Sequence, residues 1–497
     1  MARSRHLLLT GLLLIASPAG ATQPPIPPPV AGPRVAWSGD ITLTGPVTVP
    51  AGAELVLQPG TRMTFKAGIT LTVHGRLTAE GDTEHPVRLQ RAEASDAAMV
   101  NALGESAVLD LNEIELTGGG RGIDVKAGTV TCRSSRFRKQ EAAFAVDAKA
   151  RADFSDLSFE AGGAGLLVAN GSRVTARNLT FRKQRAGVVI TNGSTCSLEN
   201  CSFQDNQAGI AEERAGAVTL SRCSFSGNQI GLALLQTGQG PIVFHCTFVS
   251  NKTGVRASLF SSPLVDACEF RDNEAGFSAD QFSNPLLRYC TFSRNKEAVR
   301  FNKKSNGRLE GSRLERNGVA LFADFSSYPE IRGNRFSDNE WHVRLGDQES
   351  IDFERRRGSG DLTQKGARER AKSGPGSAEP PAPLRPGVSD VKGAVFSVAG
   401  NAWDEKTQGE MQAGPDANIS GFWDGRDQGP VTYEGFGDTR YAVDEISFLP
   451  FAQRDHVRVG PESWVPYVPR KGSTVEGHPA RSPGNAPSRE ESGPAVP

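Results

Sequence analysis

The sequence predicts an all-β chain wound as a parallel β-helix solenoid of about 22-residue coils, and three observations predict it. First, one pattern recurs in register: Cys201, Phe203, Asn206 and Gly209; Cys223, Phe225, Asn228 and Gly231; Cys246, Phe248, Asn251 and Gly254; Cys268, Phe270, Asn273 and Gly276. Second, the anchors Phe137, Phe159, Phe181, Phe203, Phe225, Phe248, Phe270, Phe292, Leu314 and Phe336 fall 22 apart, once 23. A period of this size marks units that cannot bury their apolar faces alone and so stack on their neighbours. Third, apolar residues alternate in three short segments per repeat, as Val218 and Leu220, Cys223 and Phe225, and Leu232 and Leu234 show in one coil. Period two means a strand with one buried face, and three strands per coil make a three-sided coil.

Taken in order, the chain opens with Arg3, Arg5, the apolar run Leu7–Ile15 and Ala19-Gly20-Ala21. This is the pattern of a secretory signal peptide, and the run is too short to span a bilayer. Residues 1–21 are therefore expected to be a signal peptide and 22–36 a Pro-rich linker, with an exported chain that has no transmembrane segment. Residues 37–346 are expected to form the β-helix, with an irregular loop or short helix at the Ala-rich stretch 92–108. Residues 347–390 are polar and rich in Arg, Gly and Pro, with too little apolar content to fold, and read as a disordered insertion. The register resumes at Phe396, Val398, Asn401 and Trp403, so 391–468 reads as a final coil and closing segment. The tail 469–497 reads as disordered.

The run Val47-Thr-Val49-Pro50-Ala-Gly52, followed by Leu57-Gln-Pro59-Gly60, Phe65 and Leu71-Thr-Val73-His-Gly75-Arg-Leu77-Thr-Ala79-Glu-Gly81, resembles the opening coils of secreted parallel β-helix proteins of the pectate-lyase-like superfold. Phe422-Trp423-Asp424-Gly425 and the following residues resemble their closing segment. The resemblance implies a right-handed winding. It leaves function open, because that superfold hosts polysaccharide lyases, hydrolases, adhesins and metal-delivery proteins.

Lys+Arg and Asp+Glu balance at 56 each, which argues against nucleic acid as a partner. The seven histidines have no ligand spacing, so no metal or other cofactor is assigned. Cys201, Cys223, Cys246, Cys268 and Cys290 share one inward position. Their β-carbons would stand about 4.8 Å apart, outside the preferred disulfide range, so a column of buried thiols is expected. Asn206, Asn228, Asn251, Asn273, Asn295, Asn317 and Asn339 follow each anchor by three residues. They read as a corner ladder of paired amides, with Asn also accepting the left-handed backbone of a tight corner. Asp266, Arg288, Glu310 and Arg332 alternate in sign at another position and read as a solvated salt-bridge ladder.

One face departs from this pattern. An outward column carries Arg256, Ser278, Arg300, Phe322 and Arg344, and a neighbouring one Ser258, Asp280, Asn302 and Asp324. The adjoining corner carries Phe260, Phe282, Lys303, Lys304 and Phe325. Aromatic rings beside Arg and Asp suit sugar rings and their hydroxyl and carboxylate groups. The binding set is therefore Arg256, Phe260, Asp280, Phe282, Arg300, Asp324, Phe325 and Arg344, with an acidic polysaccharide as partner and the Arg-rich insertion as a clamp. No catalytic residues are assigned. The leading expectation is a non-catalytic module or surface spacer. The alternative is a polysaccharide lyase, for which no acidic cluster of calcium-ligand density is found, or a glycoside hydrolase using a carboxylate pair such as Asp280 and Asp324.

Overall fold

A computed structural model describes residues 30, 32–91, 93, 95–357, 396–453 and 457–465. The expected signal peptide, residues 358–390 of the insertion and the tail lie outside them. The first strand, Arg34–Trp37, takes up the last residues of the stretch expected to be linker. Three parallel sheets of 14, 14 and 15 strands run the length of the solenoid. Each coil contributes one strand to each sheet and pairs with the next coil in register, as Phe225↔Phe248 shows in the second sheet. Among the described residues no helix is long and apolar enough to cross a membrane.

The anchor rings form a column through the core. Centroids from Phe159 to Phe181, Phe203, Phe225, Phe248, Phe270 and Phe292 are 4.6–4.9 Å apart and nearly parallel. That spacing is the strand spacing itself, so stacking and backbone pairing satisfy one another. The repeated glycine follows from the rings. A Cβ at Gly209 would lie 2.8 Å from the Phe225 ring and 2.5 Å from the Gly231 carbonyl.

Each of the three corners carries a side-chain column in which the backbone N–H of a coil donates to a side chain of the following coil. At the third-to-first corner a second column runs the other way, Asn284, Asn306 and Tyr328 N–H donating to Ser262, Asn284 and Asn306 of the preceding coil. At the corner between the second and third sheets, Asn206 N–H donates to Asn228 Oδ1 and the series runs on to Asn317 N–H and Asn339 Oδ1. At the third-to-first corner Ser261, Ser283 and Ser305 N–H donate to Ser283, Ser305 and Ser327 Oγ, and Ser327 N–H donates to Glu349. At the first-to-second corner Cys223 and Cys246 donate to the sulfurs of Cys246 and Cys268, and Cys290, Ser312 and Asn334 continue with oxygen acceptors. The thiols therefore occupy the role that Ser and Asn fill later in the same column. All seven cysteines are free and buried.

Several expectations are corrected. The corner asparagines are not the left-handed residues. Positive φ falls on the residue before each one, such as Asp205, Ser250 and Asp272, because the amide itself is needed for the ladder. The stretch 92–108 contains a strand, Val100–Leu103, which completes a coil of the third sheet. Its buried residues Met99, Val100 and Ala102 restore the period after the Ala-rich run. The insertion begins with structure: helix α1 (Ile351–Arg357) docks through buried Phe353 and Glu354. Asp266 and Arg288 are buried and paired at 2.7 Å, not solvated, and Arg288 also donates to the Val465 carbonyl of the C-terminal segment. Glu310 and Arg332 do form an exposed pair at 3.3 Å.

The register of the last coil resumes after the insertion. Asn334 pairs with Asn401, and Phe336 stacks on Trp403 at 4.6 Å. Helix α2 (Glu405–Met411) follows, capped by Asp404, and the strand Phe422–Trp423 adds to the third sheet beyond Trp341–Leu345.

Candidate functional site

The period-two pattern places the outward residues of the third sheet in one line. Arg256↔Ser278, Ser278↔Arg300, Arg300↔Phe322 and Phe322↔Arg344 are direct register partners on five successive coils. Trp423 extends the line beside Arg344. Coils are about 4.8 Å apart, so Arg256, Arg300 and Arg344 recur every two coils, about 9.6 Å. Arg256 and Arg344 are exposed. Arg300 is half-buried and held in place: Nε and Nη2 each donate to Glu297 at 2.6 Å, and its guanidinium lies over Phe322 at 4.3 Å. The Glu297 bonds raise the Arg300 pKa further above its ordinary value, so the charge is permanent.

At the adjoining corner Phe260 and Phe282 stack with centroids 5.3 Å apart. Both have positive φ, +65° and +62°, a conformation that bulky side chains rarely adopt. The corner takes this conformation whatever its residues, as Lys303 and Lys304 at +51° and +59° show on the next coil, so what distinguishes Phe260 and Phe282 is that their stacked rings are partly exposed. Phe325 lies in a different column from this pair and is not part of their stack. Lys304 is buried and pairs with Glu354 of α1 at 3.4 Å. Arg356 of the expected clamp is engaged by Asp352 at 3.0 Å and lies over Tyr441.

The two expected carboxylates differ. Asp280 is 29 % exposed, with the Lys303 ammonium 3.7 Å away. Asp324 Oδ1 accepts the N–H groups of Phe325 and Gln348, at 2.9 and 3.0 Å, and so closes the corner. Burial raises its pKa to about 6 despite those bonds.

A second site has no warning in the pattern of charges. A cavity of about 440 Å³ lies between the last coil and α2, lined by Ser337, Asp338, Glu340, His342, Asp404 and Thr407 among others. His342 Nε2 is 3.1 Å from Asp404 and 3.0 Å from Thr407 Oγ1. Asp404 is held well below the usual carboxylate range, chiefly by the His342 hydrogen bond. The asparagine ladder sets the histidine tautomer. Asn339 Oδ1 accepts the Asn317 backbone N–H, so its Nδ2 faces His342 Nδ1 at 3.1 Å. Nδ1 is therefore an acceptor and Nε2 carries the proton. A protonated Nε2 cannot take a proton from Thr407, so the trio ties α2 to the last coil and does not assemble a nucleophile with its base. The one sequence signal is that His342 interrupts a column of small residues: Gly254, Gly276, Ala298 and Ala320. Among the described residues no group of His, Cys, Asp and Glu could hold a metal ion.

Comparison with known proteins bears on the fold. Residues 121–265, 164–299 and 260–357 match the family described as right handed beta helix region. No curated protein matches the chain. Among solved structures, the chain is similar to the A-module of the Azotobacter vinelandii mannuronan C-5 epimerase AlgE6. That match has 12 % identity, 59 % of this chain and 87 % of that one covered, and a TM-score of 0.39. The AlgE4 A-module of the same organism gives 12 %, 62 %, 87 % and 0.35, and ORF18 of Geobacillus virus E2 gives 12 %, 51 %, 52 % and 0.22.

Proposed function

Since the chain is a right-handed parallel β-helix repeat protein, we propose that it is an exported, non-catalytic module that binds an extended acidic polysaccharide along the third sheet. The observation that carries this reading is the in-register line Arg256–Ser278–Arg300–Phe322–Arg344. A polymer running along the solenoid axis meets a guanidinium at every second coil. The Phe260–Phe282 stack offers aromatic faces to the C–H faces of sugar rings. Export rests on the signal-peptide pattern at the N-terminus.

The hydrolase alternative has less support. Asp280 and Asp324 are two coils apart, about 9.6 Å between backbones, at the long end for an inverting pair. Asp324 is already committed to two backbone donors.

Each exposed contact contributes roughly 0.2–1 kcal/mol and is screened by salt, so binding is expected to be modest and salt-sensitive. Calorimetry on a panel of acidic glycans at low ionic strength tests it. The double change Arg300→Ala with Phe282→Ala should weaken binding by about two- to thirtyfold, while Arg182→Ala, exposed on the second sheet, should leave it intact. Absence of binding to the unsubstituted protein, or an unchanged affinity in the double variant, would overturn the proposal.

A further inference from the structure

The charges on this face alternate with a period of two coils. Arg256 shares its strand with Ser258, and the next coil carries Ser278 with Asp280. Arg300 comes with Asn302, and the coil after that carries Phe322 with Asp324. Arg344 closes the series on a strand with no outward acid. In these two columns, coils bearing an arginine thus alternate with coils bearing a carboxylate, and the arginine of the middle coil is oriented and partly offset by Glu297 of its own strand. Asp280 belongs to the outer surface, and its neighbour Lys303 stands 3.7 Å off.

We infer that the face recognises a linear glycan carrying one anionic group on every second sugar, with a neutral, hydrogen-bond-donating sugar between. This rests on the polysaccharide-binding reading above and narrows it. Two coils span about 9.6 Å, the length of an extended disaccharide. With the anionic sugars set over Arg256, Arg300 and Arg344, the intervening sugars lie over the Asp280 and Asp324 coils. A hydroxyl or amide N–H on those sugars can donate to Asp280, whereas Asp324 Oδ1 already accepts two backbone N–H groups. A second carboxylate in the same place meets like charge, which penalises a polymer ionised on every sugar.

Three polymers separate the outcomes at low ionic strength: hyaluronan, in which a uronate alternates with a neutral N-acetylhexosamine, polygalacturonate, charged on every sugar, and neutral dextran. Hyaluronan should bind about tenfold or more tighter than polygalacturonate, and dextran should not bind. Asp280→Asn keeps the shape of the side chain and should narrow the gap by strengthening polygalacturonate binding. Equal or tighter binding of polygalacturonate to the unsubstituted protein, or a gap unmoved by Asp280→Asn, overturns the alternation while leaving the polysaccharide reading standing. Binding to neither charged polymer overturns that reading itself.

Discussion

Glu212 shows how far one residue can depart from its column. It projects into the core between Ile190 and Leu234 of the adjacent coils, is 2 % exposed, and neither carboxylate oxygen has a hydrogen-bond partner among the described residues. Burial pushes its pKa up to about 8 from 4.5. The folded state therefore holds a proton that the unfolded state releases at lower pH. Its stability is greatest below the unfolded value and declines until pH passes about 8. Glu212→Leu should stabilise the protein by on the order of 5 kcal/mol above pH 8 and far less at pH 4. Thermal melts at the two pH values check this, and an equal gain at both would refute it. A second residue-scale expectation concerns Asn273, whose Oδ1 accepts both the N–H and the Nδ2 of Asn251. Asn273→Ala strands those buried donors and should cost about 1–3 kcal/mol in denaturant unfolding. The thiols give a third. All seven should resist a thiol reagent in the native state and all seven should titrate after guanidinium without reductant, since every one is free and buried.

At the scale of elements, α1 is a joint built from acids. Its first N–H, of Ile351, donates to Asp444 Oδ1 at 2.7 Å, and Tyr328 donates to Asp444 Oδ2 at the same distance. Glu349 and Glu354 are buried beside them, with Lys304 as the basic partner of Glu354. Burial raises Asp444 and Asp324 to about 6 and Glu349 well above its ordinary value. Raised carboxyls contribute stability that is full at low pH and lost as pH rises through about 6. Amide exchange across Ile351–Arg357, corrected for intrinsic rates, should therefore be better protected at pH 5 than at pH 8, and Asp444→Asn should flatten the difference. Equal protection would show that the joint does not titrate. This joint also marks the limit of what could be read from sequence. The coils, their register and the outward line of Arg256 to Arg344 were legible because a strict period converts position into place. What was missed depends on contacts between distant segments. Arg288 of the buried Asp266–Arg288 pair donates to the distant Val465 carbonyl, and Asp324 is spent on Gln348. His342 meets Asp404 across the insertion, and only its place in a column of small residues hinted at it.

At the scale of the whole molecule, stability is close to a sum of coils and the interfaces between them. Removing the 23 residues of one coil, 230–252, keeps the register because Ile230 pairs with Thr253, and should leave a cooperatively folding solenoid with unchanged strand content by circular dichroism. Truncation after Leu345 should not be tolerated in the same way, although it removes no coil before the last. It deletes Asn401, Trp403 and Glu349, on which two corner columns and the ring stack end, and opens an edge strand to pairing between chains. Aggregation of that truncation on gel filtration, against a monodisperse coil deletion, is the expected contrast. The forward-running column present at every corner adds a direction in time, although Asn284, Asn306 and Tyr328 also donate back to the coil before them. Each coil leaves N–H groups that only its successor can satisfy, so in a chain emerging from its N-terminus every stitch is secured by the one knitted after it. The row is cast off only when residues beyond the repeats arrive, and an unfinished chain is distinguishable from a complete one by its open end alone.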